Sequence, residues 1–411
     1  MTEPTSTART AGRLRLGYAT NAFPGESAGE LLALIEGPLA RIRLRLSDLC
    51  FPGLELRMGL TTAEELEADP ELLSRLAGAL AKEKLSVLTM NAFSPKGFHA
   101  RRVKEDAYRP TWGEPERLEY TRKIAGLFAR LLPSGSLGAV STSPGSFKGF
   151  GHDDHILDTV ARAYADAALS LAEIEERTGS CLLLSVEPEP GCTIETTAEL
   201  VDFYQERILA LGVDRIVEAS GRSRSDCEGI LRRHVGATFD AAHQAVEFED
   251  PVESLTMLEK AGMRVGKIHA TSALKLRRPG RNREALRRLE RYAHSPYMHQ
   301  VIGVDESGSI CVRAKDLGAL LAHPDALDPC AEIRIHFHLP LFLDSLGPLE
   351  TTSREACEAV RFAASRGLCE VAVLETYTWN VLSMTPELGG MDIEEGIARE
   401  IEWARRNLPA V

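Results

Sequence analysis

Four side chains with oxygen or nitrogen donors each stand at the end of a short apolar run in this sequence. They are Glu187, Asp240, His269 and Glu375, which follow the runs CLLLSV, VGATF, VGKI and EVAVL. Carboxylates and imidazole bind Mn²⁺, Mg²⁺, Zn²⁺ or Fe²⁺, and the donor types alone do not choose among these ions. Any one of the four has an ordinary explanation as a helix cap or a hydrogen-bonded loop residue. Together they predict a divalent-metal site, if the runs are strands that end on one side of the fold.

Three further histidines extend this candidate ligand set. His243 follows Asp240 by three residues, so its imidazole can reach the same pocket from the turn after the strand. His336 and His338 alternate around Phe337, and alternate side chains of an extended segment point to one face. If that face meets the pocket, the sequence supplies ligands for two or three ions. A histidine pair on a solvent-exposed face is the alternative.

The same residues suggest a chemistry. A metal ion polarises a substrate carbonyl or hydroxyl and lowers the pKa of the adjacent C–H group or of bound water. A carboxylate with a free oxygen then moves the proton, and we predict Glu187 or Glu375 in that catalytic role. Glu189 is an alternative ligand, and Lys148, after the turn at 143–146, is placed to hold a phosphate. An ordinary strand-to-helix turn is the alternative for this last motif.

Eight apolar runs alternate with longer amphipathic stretches along the chain. Such alternation is typical of βαβ units and a parallel sheet. Eight repeats favour an α/β fold of the (β/α)₈ TIM-barrel type, in which the carboxyl ends of the strands form one rim. The predicted strands are 13–20, 54–58, 86–91, 137–142, 181–187, 234–240, 265–270 and 370–375.

One segment exceeds the eight-strand pattern. Residues 332–339 also have the composition of a strand, and they follow a predicted hairpin over 301–313. We therefore place about 275–350 as an elaborated insertion between the seventh and eighth strands. The chain from 13 to 411 is predicted to be a single barrel domain behind a disordered lead-in over 1–12.

Charge and composition exclude several classes of protein. The 48 basic and 60 acidic residues give a net charge of −12, whereas nucleic-acid-binding surfaces carry an excess of basic residues, so no nucleic-acid partner is expected. The basic run over 275–291 is interpreted as a solvated helix face. No run approaches the roughly 18 apolar residues of a membrane span, and residues 1–11 lack the apolar core of a signal sequence. With eight scattered cysteines and no CxxC pair, we expect a reduced, cytoplasmic protein.

Several motifs occur in a familiar order. The segments SVEPEPG, TFDAAHQAVEFEDP, KIHATSAL and VLETYTW resemble those of the xylose-isomerase-like barrel superfamily, which includes sugar isomerases, sugar 3-epimerases and endonuclease IV. TNAFPGES, TMNAFSPKGFH and IHFHLPLF are most similar to the EboE-type metabolite traffic proteins. That family is associated with a gene cluster linked to moving prenyl or other precursors. The order and spacing of the motifs, over nearly the whole chain, carry the resemblance.

The epimerases of this superfamily imply roles for particular residues. They bind one metal ion through Glu, Asp, His and Glu, which here are Glu187, Asp240, His269 and Glu375. In the epimerases the two glutamates also transfer the proton. His243 matches the histidine that follows the aspartate.

The endonuclease IV branch implies a larger ligand set. Its members add an Asp-x-His pair late in the barrel, where this chain has His336 and His338. They also have histidines at the ends of earlier strands. Here Asn91 and Ser143 occupy those places, with His99 farther along the loop. This departure weighs against a full trinuclear phosphodiesterase site.

Three functions of different classes follow. The first is a metal-dependent isomerase or epimerase that acts on a small polar metabolite by proton transfer. The second is a metal-dependent phosphoester hydrolase, and the third is a non-catalytic metabolite-binding or carrier component, with partners from the same gene cluster. The expected ligand is sugar-like, a polyol or a prenyl precursor, and Tyr377 and Trp379 would form a stacking wall for it, with ordinary packing as the alternative. The predicted substrate contacts are Asn91, His99, Glu189, Lys148, Tyr377 and Trp379.

Overall fold

A computed structural model describes residues 14–46, 53–99, 103–151, 154–294, 296–383 and 385–409. The predicted lead-in over 1–12 lies outside these ranges. The strands are β1 (Arg15–Ala19), β2 (Gly53–Arg57), β3 (Val87–Asn91), β4 (Leu137–Thr142), β5 (Cys181–Val186), β6 (Val235–Asp240), β7 (Arg264–His269), β8 (Ser272–Arg277), β9 (Val301–Val304), β10 (Ile310–Ala314), β11 (Glu332–Leu339), β12 (Ser345–Leu346), β13 (Leu349–Thr351) and β14 (Val371–Leu374).

Helices separate most of the barrel strands. They are α1 (Ala28–Leu34), α2 (Ala40–Arg45), α3 (Leu60–Ala68), α4 (Pro70–Lys82), α5 (Pro115–Leu131), α6 (Asp154–Thr178), α7 (Thr197–Phe203), α8 (Leu209–Ser220), α9 (Arg224–His234), α10 (Ala241–Val246), α11 (Pro251–Lys260), α12 (Arg283–Leu289), α13 (Leu317–Leu321), α14 (Ser353–Arg366), α15 (Trp379–Leu382) and α16 (Ile393–Asn407).

Eight strands close into a parallel barrel in the order β1-β14-β7-β6-β5-β4-β3-β2. Closure is direct, since β1 pairs in parallel with both β14 and β2. All six residues of β5 are buried, as expected for a strand with helices outside and packed side chains inside. The predicted (β/α)₈ barrel is confirmed, and the ends of each predicted strand lie within two residues of those observed.

A second, antiparallel sheet stands between β7 and β14 in the chain. Its order is β10-β9-β11-β8-β13-β12. The hairpin predicted over 301–313 is the β9–β10 pair, and the strand predicted over 332–339 is β11, which pairs with β8 and β9. The insertion therefore lies where the sequence places it, although its first strand begins directly after the barrel strand β7. The single-domain organisation stays a prediction.

The basic run over 275–291 is divided between β8 and α12 in this insertion. Four of its cations are paired with acids: Lys275 and Arg277 with Glu350, at 3.6 and 3.5 Å, Arg278 with Glu306, at 3.6 Å, and Arg288 with Glu387. Within the described ranges, no helix is long and apolar enough to cross a membrane.

The barrel brings the predicted ligands to one rim. Asp240 and His269 are the last residues of β6 and β7, while Glu187 and Glu375 directly follow β5 and β14. Because parallel strands end on the same side of a barrel, four separate stretches of chain deliver these side chains to one place.

Candidate metal centre

The four residues at the strand ends converge on one point, and we call them the carboxylate site. Nδ1 of His269 lies 2.9 Å from Oε1 of Glu187, 3.2 Å from Oδ2 of Asp240 and 3.0 Å from Oε2 of Glu375. One ligand atom from each residue lies within 4.8 Å of those of the other three, and all four side chains are buried. The geometry is that of a cage of three carboxylates and one imidazole.

Buried oxygen atoms in this cage fit a cation. Oδ2 of Asp240, which faces His269, accepts no hydrogen bond although it is buried. Burial raises the pKa of Glu375 well above its usual range, and the neighbouring Glu187 carboxylate raises it further. Burial alone would lower the pKa of His269, but the Glu375 and Glu187 carboxylates raise it well above its usual range. The cage thus accumulates negative charge that a divalent ion, held by oxygen and nitrogen donors, would neutralise.

Two of the four residues, Asp240 and Glu375, are held by further hydrogen bonds. Oδ1 of Asp240 caps α10, accepting from the backbone N–H groups of residues 242 and 243 at 2.8 Å, which leaves Oδ2 for the cage. Helix capping and a ligand role therefore coexist in Asp240. Oε1 of Glu375 accepts from the side-chain amides of Asn21, at 2.8 Å, and Asn91, at 3.2 Å. Its other oxygen, Oε2, points towards His269.

A second group, the three-histidine cluster of His243, His336 and His338, lies in the same cavity. Nε2 of His336 lies 3.1 Å from Nε2 of His243 and 3.0 Å from Nε2 of His338. Each Nδ1 faces a carbonyl oxygen, which can only accept, so each ring carries a proton on Nδ1, and Nε2 has a lone pair whenever the ring is neutral. The three acceptors, at 2.7–3.1 Å, belong to Pro188, Gln300 and Glu375.

The protonation of the cluster also fits metal binding. Burial lowers the pKa of His338 to about 4 and that of His336 well below its usual range, so both of these rings are neutral near pH 7. Burial would also lower the pKa of His243, but the Asp240, Glu189 and Glu187 carboxylates raise it above its usual value, so a metal ion would have to displace a proton from this ring. Neutral imidazole is the form that binds a metal ion, and three imidazoles are a known donor set for zinc. The alternation of β11 therefore turns both of its histidines towards the barrel rather than towards solvent.

A small cavity of about 70 Å³ lies beside both groups. Its polar end includes Glu187, Glu189 and the three-histidine cluster. Glu189 is buried, accepts a hydrogen bond from the Tyr108 hydroxyl at 2.6 Å, and has its pKa raised by burial to about 7. Much of the remaining lining is aromatic or apolar and includes Phe93, Phe98, Tyr108, Tyr297, Met298 and Tyr377.

The predicted substrate contacts divide into two sets. Asn91, Glu189 and Tyr377 line the cavity. Lys148 is instead ion-paired with Glu195, and Trp379 is fully buried, with its indole N–H donating to the Tyr18 hydroxyl at 2.9 Å. His99 packs edge-on against Phe98 and is not one of the residues that line the cavity. Packing explains Trp379, and ion pairing explains Lys148, without a ligand.

Sequence inspection missed several residues around the site. Glu55 and Lys267 lie inside the barrel below His269, and Asn21, Arg57 and Gln300 contact ligands or line the cavity. One available signal was periodicity, because Lys267 precedes His269 by two residues on β7 and so faces the same side. The other was the acidic Glu55 in the middle of the apolar run GLELR.

Known proteins resemble this chain in structure only. No family model and no curated protein matches the chain. The chain is similar to the apo form of a 3-keto-D-glucoside 4-epimerase from E. coli, at 16% identity over 77% of this chain and 98% of that chain, with a TM-score of 0.38. It is similar to the IOLI protein with a bound zinc atom at 13% identity, over 95% of this chain and 96% of that chain, with a TM-score of 0.43.

A third similar structure is a xylose isomerase-like TIM-barrel protein from Mycobacterium smegmatis in complex with magnesium. Identity is 10% over 77% of this chain and 97% of that chain, with a TM-score of 0.42. The three similar structures are thus a sugar epimerase, a zinc-binding protein and a xylose isomerase-like barrel. At these identities and scores the likeness carries no argument about substrate or reaction, and the EboE-type resemblance stays a prediction.

Proposed function

We propose that this protein is a metal-dependent isomerase or epimerase that moves a proton at a carbon next to a hydroxyl or carbonyl group of a small polar metabolite. The observation that carries the proposal is the arrangement of Glu187. Its Oε1 faces the cage, while its Oε2 is buried without a hydrogen bond, and the residue lines the cavity. A carboxylate with one oxygen at the cage and one free is suited to act as a base.

Glu375 is less suited to that role. Its Oε2 faces the cage and its Oε1 is held by two side-chain amides, so neither oxygen is free to take a proton. We therefore assign proton abstraction to Glu187 and a ligand role to Glu375. A divalent ion bound by the carboxylate site would polarise the substrate oxygen and acidify the neighbouring C–H group.

Glu189 supplies a second group for proton transfer. It lines the cavity, its Oε2 has no hydrogen-bond partner, and its pKa near 7 allows both protonation states at neutral pH. Glu187 and Glu189 together would remove a proton and return it, which isomerisation and epimerisation both require.

The cations of the cavity support a neutral rather than a phosphorylated substrate. Lys104 is bound to the carboxylate of Asp316 at 2.7 Å, and Arg57 is bound to Glu26 at 2.9 Å. A phosphate group would have to compete with these acids. A polyol or hydroxyketone needs only the hydrogen-bonding groups of the cavity and the cage.

The three-histidine cluster favours a second candidate, the hydrolysis of a small phosphoester. Three imidazoles are the donor set of catalytic zinc sites that activate water. The cluster shares the cavity with Glu187 and Glu189, so a substrate could contact both groups. Binding without catalysis is the third possibility that an experiment must separate.

Hydrogen–deuterium exchange at substrate carbons in heavy water tests the proposal. Metal-loaded protein is incubated with a panel of ketoses, polyols and their phosphates. We expect exchange with the wild type and a loss of roughly 10²–10⁴-fold in Glu187→Gln. Exposed His155 on α6 provides the control, since His155→Gln leaves the cavity unchanged.

Three outcomes contradict the proposal or part of it. Phosphate release without carbon exchange would establish the hydrolase instead. Exchange that survives Glu187→Gln but is lost in Glu375→Gln with its metal retained would reverse the assignment of the base. Neither exchange nor phosphate release, on protein shown to be metal-loaded, would leave only a binding role.

A further inference from the structure

A charged pair lies in the interior of the barrel, below the carboxylate site. Glu55 and Lys267 are both fully buried, and Nζ of Lys267 contacts Oε2 of Glu55. Lys267 also donates to the Ser141 hydroxyl at 2.8 Å, and the Thr89 hydroxyl donates to Oε2 of Glu55 at 2.8 Å. Every one of these groups comes from a barrel strand: β2, β3, β4 and β7.

The barrel fold does not need this pair. The interior of a (β/α)₈ barrel is normally filled by branched apolar side chains. Burying two charges costs desolvation free energy that their attraction often fails to recover, so apolar replacements are frequently neutral or stabilising. A pair kept in such a place is better explained by what it contacts than by stability.

What the pair contacts is His269. Oε1 of Glu55 lies 3.0 Å from Nε2 of His269, and the other nitrogen of the ring, Nδ1, faces the three carboxylates of the cage. An ionised carboxylate can only accept, so Glu55 keeps the proton on Nε2. Nδ1 is then left as the ligand nitrogen. The side-chain amide of Asn91 lies 3.5 Å from Oε1 of Glu55 and donates to Glu375, which links the pair to a second ligand.

We propose that Glu55 and Lys267 are positioning residues for the metal centre: Glu55 fixes the tautomer and orientation of His269, and Lys267 holds Glu55 in place and balances its charge. This inference rests on the proposed function, because it takes the carboxylate site to bind a metal ion. Carboxylate–histidine–metal relays of this kind raise the basicity of the ligand and prevent rotation of the ring.

Lys267 also sets the net charge of the buried site. The cage carries three carboxylates, and Glu55 adds a fourth within 3.0 Å of His269. A divalent ion and Lys267 together offset three of these four negative charges. Without Lys267, an additional uncompensated negative charge would remain in a region that excludes water, which favours displacement or protonation of Glu55.

The test measures metal affinity and the state of His269 rather than turnover. Zn²⁺ and Mn²⁺ dissociation constants are determined by chelator competition for the wild type, Glu55→Leu and Lys267→Met. We expect Glu55→Leu to bind 10–100-fold more weakly, the usual loss when such a partner of a ligand is removed. Lys267→Met should weaken binding less, because it acts only by displacing Glu55 and also removes a positive charge from beside the cage. In Zn²⁺-loaded protein labelled with ¹⁵N-histidine, the Nε2–H signal of His269 should be present in the wild type and shifted or exchange-broadened in Glu55→Leu.

Two further variants protect the test against misfolding. The double variant Glu55→Leu/Lys267→Met replaces the pair by apolar groups, so it should fold at least as well as either single variant while binding metal as weakly as Glu55→Leu. The control is Glu83→Gln, which weakens the partly buried ion pair with Arg43 (3.2 Å) at the end of α4 that precedes β3, and should leave affinity unchanged.

The possible failures are distinct. Wild-type protein that binds no divalent ion at the carboxylate site would overturn the proposed function itself. Wild-type protein that binds metal, with a folded double variant of equal affinity and an unchanged His269 signal, would overturn the positioning role alone.

Discussion

Nε2 of His336 lies 3.0 Å from Nε2 of His338, on the same face of β11, with Phe337 between the two residues in the chain. Both rings donate from Nδ1 to an oxygen, so the two facing nitrogens both carry lone pairs. Such lone pairs repel one another unless a cation or a proton lies between them. His243 adds a third nitrogen on the same side, which makes the three-histidine cluster a candidate for an ion of its own.

We therefore predict that the wild type binds two equivalents of Zn²⁺. Asp240→Asn should lose the equivalent at the carboxylate site while its side-chain oxygen still caps α10. His336→Asn/His338→Asn should lose the other equivalent. Elemental analysis after dialysis measures both, with His155→Gln as the control. A single equivalent that disappears from both variants would show one shared site instead.

Gln300 should tune the affinity of the three-histidine cluster. Its Oε1 accepts the Nδ1 proton of His336 at 2.7 Å, and its Nε2 donates to Tyr108 at 2.9 Å. Gln300→Met removes the acceptor, and we expect roughly 10–100-fold weaker Zn²⁺ binding at the cluster, measured by chelator competition. Tyr108→Phe is the matched control, since it leaves the contact between Gln300 and His336 in place. Equal losses in the two variants would contradict the assignment.

Glu400 should make stability depend on pH. It is fully buried between the hydroxyls of Tyr18 and Thr376, and burial raises its pKa from an ordinary value of 4.5 to about 8. Between these pH values the folded state binds a proton that the unfolded state has released, so stability falls as pH rises. One pKa unit corresponds to about 1.4 kcal/mol.

The free energy of unfolding of Glu400→Gln, relative to that of the wild type, should therefore increase by roughly 3–5 kcal/mol as pH rises from 4.5 to 8. Above pH 8 the difference between the two proteins should stay constant. Urea unfolding at a series of pH values measures the difference. Parallel stability curves would show that Glu400 is ionised in the folded protein.

Trp379 should matter for stability and not for substrate affinity. Its ring packs closely against Gly396 and its indole N–H donates to the Tyr18 hydroxyl. We expect Trp379→Phe to lower the free energy of unfolding by about 1–3 kcal/mol and to leave the KM of the exchange reaction unchanged. Tyr377→Leu, in the cavity wall, is the comparison and should raise KM. A rise of KM in Trp379→Phe would show that Trp379 contributes to substrate binding.

The sequence by itself determined the barrel and the four residues of the carboxylate site. Strands and helices differ in the spacing of their apolar residues, and that spacing can be recognised from residues that are close together in the chain. Once eight parallel strands are recognised, the residues at their carboxyl ends must share one rim, as Glu187 and Glu375 do. Alternation along β11 likewise placed His336 and His338 on one face.

Only the tertiary structure decided that the face of β11 with His336 and His338 meets the cavity, and which residues support the ligands. The histidines of β11 reach His243 because the inserted sheet, 93 residues farther along the chain, folds back over the barrel rim. Glu55 contacts His269, which is 214 residues away in the chain, and Tyr18 contacts Trp379, which is 361 residues away. No local pattern encodes such pairs, because they are set by how whole elements pack. The same packing turned Trp379 into the core and left Tyr377, two residues earlier, facing the cavity.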